Sequence, residues 1–165
     1  MRDLVAAGVA LLLLIVAASL GTTLTVYRKR RRQNRDHERT LGRTIIAEIP
    51  ADDDLVLFTE DDRHFHYGRQ AVDKDRIAAV RVLINGAPIA ACVSKRHAAG
   101  APIQPTSFED RPEGIARDRW DVAIEGVDGT TLVECGAIRE RISQELARAV
   151  FDAVKQDIER RDGAV

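Results

Sequence analysis

His64 and His66 stand two residues apart in the stretch HFHY. On an extended strand that spacing points both imidazoles to one side, where they can share a metal ion. Zinc chemistry needs a third ligand, and only His97 or a carboxylate such as Asp61 could supply it. A metal-dependent enzyme built on His64 and His66 is one reading. The preferred one has Phe65 and Tyr67 filling a core while the two histidines face water, because nothing in the spacing demands the third ligand. Two acidic clusters, Asp52-Asp53-Asp54 and Glu60-Asp61-Asp62, invite Ca²⁺. They lack the alternating ligands and central glycine of an EF-hand loop, and read as solvated turns. Ser94 lies near His97 without the G-x-S-x-G context of an activated nucleophile, and neither a P-loop nor G-x-G-x-x-G occurs. Cys92 and Cys135 have no CxxC spacing and read as reduced core thiols; Trp120 reads as a core anchor. No catalytic residue, cofactor or metal is therefore assigned, and the chain is read as a non-enzyme.

Other side chains carry charge rather than chemistry. Residues 28 to 39 hold seven basic side chains (Arg28, Lys29, Arg30, Arg31, Arg32, Arg35, Arg39) against Asp36 and Glu38. The chain nets −1, and the part from Leu41 onward holds 17 basic against 23 acidic residues. A nucleic-acid-binding body would have the opposite sign, and the basic stretch has no interleaved aromatics for stacking, so no nucleic-acid partner is expected.

Ahead of the cluster, Leu4 to Tyr27 (LVAAGVALLLLIVAASLGTTLTVY) has no charge in 24 positions. As a helix it would span about 36 Å, enough for a hydrocarbon core of about 30 Å. The expectation is a transmembrane helix over 1–27 with its N-terminus outside, followed by a basic juxtamembrane linker over 28–43. In that linker Arg28, Lys29, Arg30, Arg31, Arg32 and Arg35 anchor the chain at the membrane surface and attract anionic lipid, at about 1 kcal/mol per residue. A cleaved signal peptide is the rival, with Val16-Ala17-Ala18 as the cleavage site. Against it, the run exceeds the usual apolar core of about 7 to 15 residues and its dense positive charge follows rather than precedes it. The positive-inside rule then places the C-terminal domain in the cytoplasm, at the inner membrane. Ala6 with Ala10, and Ala17 with Gly21, have small-xxx-small spacing that permits a homo-oligomer through this helix.

The remaining chain reads as short strands separated by turn chemistry. Thr44–Ile49 ends at Pro50, and Leu55–Thr59 and His64–Tyr67 flank a polar turn. Ile77–Ile84 and Ile89–Val93 flank Asn85-Gly86, a pair suited to the positive φ of a type I′ hairpin. Trp120–Val127 and Thr130–Cys135 flank Asp128-Gly129. From Ala137 to Arg161 the apolar period changes to 3.6, predicting one amphipathic helix with Ile138, Ile142, Leu146, Ala149, Val150, Ala153 and Val154 on its buried stripe. The segment 97–117, with Pro102, Pro105 and Pro112, reads as a long loop.

Seven strands and a closing helix, with the two hairpins, "DKDRIAAVRVLI" and "GAIRERISQELARAVFDAVKQDI", resemble the bacterial pleckstrin-homology-like domains over 44–165. The resemblance implies an α+β, mainly β fold: two near-orthogonal antiparallel sheets forming a half-open barrel of about seven strands, capped by the C-terminal amphipathic helix. Lipid-binding members hold a phosphoinositide with basic residues in the first hairpin loop. Here that stretch is "PADDD", Pro50 to Asp54, which repels phosphate, so headgroup binding is not inherited. The resulting reading is a single-pass membrane protein whose cytoplasmic domain docks a protein partner at the inner membrane face through the long loop and acidic turns. Its alternatives are the His64/His66 metal enzyme and a small structural subunit of a membrane complex, held by the transmembrane helix.

Overall fold

The computed structural model describes residues 28–51, 55–97, 119–137 and 139–164. They fall in two compact units, Met1–Leu41 and Gly42–Val165. In the first, the basic stretch is a helix, α1, over 28–40. Its last carbonyls are met locally: the Leu41 amide donates to those of His37 and Glu38 at 3.2 Å, and the Thr40 hydroxyl to that of His37 at 2.7 Å. Gly42, at φ +74°, supplies the left-handed residue that commonly ends a helix.

The second unit contains eight strands: β1 Thr44–Pro50, β2 Leu55–Glu60, β3 His64–Tyr67, β4 Gln70–Asp73, β5 Ile77–Ile84, β6 Ala87–Val93, β7 Arg119–Gly126 and β8 Gly129–Ala137. They pair antiparallel as two four-stranded sheets, in the orders β1-β2-β3-β4 and β6-β5-β7-β8. Helix α2, Arg141–Gly163, follows.

This corrects the expected fold of the domain, a half-open barrel of about seven strands closed by one helix. Among the described residues there are eight strands rather than seven, paired as two four-stranded sheets with no ladder joining them, and there are two helices. No described helix is long and apolar enough to cross a membrane. The run 4–27, to which the transmembrane helix was assigned, lies outside the described residues, as do Asp52-Asp53-Asp54 and most of the 97–117 loop. The additional strand, β4, is QAVD, too short and too polar at its ends to show an alternating pattern. It forms because Gly68, at φ +59°, turns the chain back so that Tyr67 pairs with Gln70 and Phe65 with Val72.

Both longer hairpins form. Asn85 (φ +52°) and Gly86 (φ +79°) connect Ile84 to its partner Ala87, the geometry expected of Asn-Gly. The other turn is one residue earlier than its glycine suggested: Gly126 pairs with Gly129, so Val127 and Asp128 form the loop and Val127 is exposed. The Val127 amide donates to the Arg76 carbonyl at 3.0 Å and Arg76 pairs with Asp128, which fixes that register.

The core draws Ile49, Phe58 and Phe65 from the first sheet, Val80, Val122, Ile124 and Val133 from the second, and Val150, Val154 and Ile158 from α2, none more than 1% exposed. Each fully buried side chain of this size contributes about 1.5 to 3 kcal/mol. Phe58 stacks on Phe65 with centroids 5.7 Å apart. The stripe of α2 is rotated from the apolar one: Ser143, Ala147, Val150, Val154, Asp157 and Ile158 are buried, while Ile142 is 65% exposed. The helix also starts later than expected, since Ala137 still belongs to β8.

Candidate functional site

The turn between β2 and β3 brings together the sequence's most reactive side chains. Asp61 Oδ1 accepts the backbone amides of Arg63 (2.8 Å) and His64 (2.7 Å), an Asx turn that sets the direction in which β3 leaves. Strand alternation then buries Phe65 and sends His64 and His66 back over the turn. His66 Nε2 lies 2.7 Å from Asp61 Oδ2, and His64 Nδ1 lies 3.6 Å from Asp61 Oδ1. Ligand atoms of all three residues fall within 4.8 Å of one another. The third member is thus Asp61 rather than His97, which sits in the short turn Lys95–His97 after β6. The expectation that both histidines face water fails for His66, whose side chain is only 12% exposed. Tyr67 is half-buried, and burial raises the pKa of its hydroxyl.

The contact with His66, reinforced by the amides of Arg63 and His64, holds Asp61 well below the usual carboxylate range. Beside it lies Lys74, buried at 5% exposure and invisible as a core residue in DKDR. Its ammonium donates to Glu60 Oε2 (3.1 Å) and the Asp61 carbonyl (2.6 Å), and sits 4.6 Å from the centroid of the Phe65 ring. The acidic cluster 60–62 is therefore only partly a solvated turn: Glu60 and Asp61 each hold a basic partner, and Asp62 is exposed. His64 also lines a cavity of about 550 Å³ between β4 and the β7–β8 turn.

The other candidates resolve into structural roles. The Ser94 hydroxyl donates to Asp162 Oδ1 (2.8 Å), and Asp162 Oδ2 accepts the Lys95 amide (2.7 Å), so Ser94 clasps the end of α2 to the exit of β6. Burial pushes the Cys135 thiol up to about 12 and raises Cys92 as well, leaving both as neutral thiols. Trp120 packs against the core.

Two surfaces complete the inventory. On α1, Arg28, Arg31, Arg32 and Arg35 surround one concavity of about 260 Å³, the i, i+3, i+4, i+7 spacing of a single helix face. Lys29 and Arg30, of the same expected anchor group, fall off that face by helical spacing. On the second sheet, β6 is an edge strand of seven uncharged residues in which Ile89 (55%) and Val93 (50%) are among the most exposed large apolar side chains. No family model, curated protein or solved structure matches the chain.

Proposed function

We propose that this protein works at an anionic membrane surface, with α1 as its electrostatic contact and the two-sheet unit as a docking module for another protein. The supporting observation is the gathering of Arg28, Arg31, Arg32 and Arg35 on one helix face directly after 24 uncharged residues. Basic residues near an anionic leaflet gain about 1 kcal/mol each, and the cytoplasmic leaflet carries such charge. At about 1.4 kcal/mol per decade, even three of the four favour anionic lipid by about 100-fold. The test is partition of the full chain between vesicles of neutral phosphatidylcholine and vesicles also containing phosphatidylglycerol. A preference of that order supports the reading, and equal partition overturns it.

The docking half rests on β6. Pro88 removes one donor, and a bulge at Ile89 shifts the register against β5, so the first half of the edge is blunted. Ala90–Val93 remains, uncharged within an otherwise acidic domain, and among the described strands none pairs with its outer side. Such an edge takes an extended, uncharged segment of a partner as a further strand. A photo-crosslinking residue at Ala91 should form one discrete adduct in cells that disappears with Val93→Lys. Adducts of equal yield from position 148, on the exposed side of α2, would contradict this docking surface.

A further inference from the structure

We propose that Asp61, His64 and His66 form a binding site for a divalent transition-metal ion of the zinc class, through Asp61 Oδ2, His64 Nδ1 and His66 Nε2. Imidazole with carboxylate is a donor set that suits Zn²⁺ and its neighbours rather than Mg²⁺ or Ca²⁺. Three protein ligands leave a coordination position open, as in zinc sites that bind a further small ligand.

The geometry is close to what an ion requires. Ligand atoms at about 2.1 Å from a tetrahedral centre stand about 3.4 Å apart. Here His66 Nε2 and Asp61 Oδ2 are 2.7 Å apart, and ligand atoms of all three residues fall within 4.8 Å of one another; His64 Nδ1 stands 3.6 Å from the carboxylate's other oxygen, Oδ1. An ion entering between His66 and Asp61 opens that pair by about 0.7 Å and draws His64 inward. The side chains that must move have room: those of His64 and Asp61 are 38% and 29% exposed, and His66, the most enclosed, is fixed by its strand.

The backbone supplies the preorganisation. His64 and His66 share one face of β3 with rings 5.8 Å apart, and the Asx turn holds Asp61 from the other side through Oδ1, leaving Oδ2 for the ion. The nearest ammonium, Lys74, is already engaged by Glu60 at 3.1 Å, so it does not occupy the carboxylate of Asp61.

Titration calorimetry of zinc chloride into the full chain in detergent micelles tests the site. One ion per chain is expected. His64→Ala and His66→Ala should each weaken binding by at least about tenfold, the lower bound set by what even outer-shell losses cost a metal site. Asp61→Asn, which keeps the Asx turn, should weaken it likewise, and His37→Ala and His97→Ala should leave it unchanged. Because His66→Ala could unfold the turn, cobalt provides a second measurement on the unaltered chain: bound Co²⁺ should show intense ligand-field absorption of low coordination number. Absence of saturable zinc binding, binding indifferent to His64 and His66, or a cobalt spectrum identical to that of the free ion would overturn the proposal.

Discussion

Helix α1 and the two-sheet unit use charge in opposite ways. In the two-sheet unit the buried charges are spent on one another. Asp121 and Glu134 stand directly opposite across β7 and β8, and Arg119 reaches both, at 2.7 and 2.9 Å. Arg81 meets Glu125 at 2.7 Å, Lys74 meets Glu60, and Asp157, buried on α2, is held by Arg160 and by Arg161 at 2.8 Å. On α1, by contrast, four arginines of like sign surround one concavity on a single face. Like charges on one side of a helix repel, and an anionic surface facing them offsets that repulsion. Removing a charge from the two-sheet unit should therefore weaken folding, and removing one from α1 should weaken binding only.

The largest effect should come from Arg119→Met. It leaves two carboxylates face to face, with Asp121 only 5% exposed, and chemical denaturation should register a loss of about 3 kcal/mol. Adding Asp121→Asn to that variant should return part of the loss. Lys74→Met should cost less, about 2 kcal/mol: the Asp61 carbonyl loses its donor, but methionine fills the space over Phe65 and the orphaned Glu60 keeps a third of its surface in water. Equal losses at the two positions would break the distinction between a bridging cation and a cation at a wet edge.

Asp162→Asn should act through pH. The Lys95 amide, with the Ser94 hydroxyl, holds this carboxylate below its ordinary value of 3.8. A depressed pKa lends stability that is complete above 3.8 and disappears as pH falls through the folded value. Denaturation midpoints of Asp162→Asn should thus lie below those of the unaltered chain at neutral pH and converge with them in strong acid. The smallest effect on folding belongs to Arg28→Gln with Arg32→Gln, which should leave the denaturation of the two-sheet unit unchanged within about 0.5 kcal/mol.

Much of this arrangement was legible in residue order. Asn85-Gly86 announced its hairpin because few other pairs accept positive φ twice, and HFHY announced a strand with paired imidazoles. The change of apolar period announced α2. Less legible was whatever depends on partners distant in sequence. Ile142 looked buried by its apolar character, yet Ser143 takes the core position, because the strands beneath α2 decide its rotation. Nothing in DKDR marks Lys74 as buried; Phe65 and Glu60, from other strands, close around it. β4 carried too few apolar residues to be read without its neighbour β3. Of the candidate metal ligands, the histidine pair was visible from spacing alone, whereas the choice of Asp61 over His97 required the Asx turn.

The most direct measurement compares two double variants of the full chain for partition into phosphatidylglycerol-containing vesicles. Arg28→Gln with Arg32→Gln removes two charges from the arginine face, and Lys29→Gln with Arg30→Gln removes two beside it. Two lost contacts are worth about 2 kcal/mol, so the first variant should bind about 30-fold more weakly than the unaltered chain. The second should fall much less. Equal weakening by both would mean that total charge, not the helix face, governs binding; no weakening by either would contradict a membrane-surface role for α1.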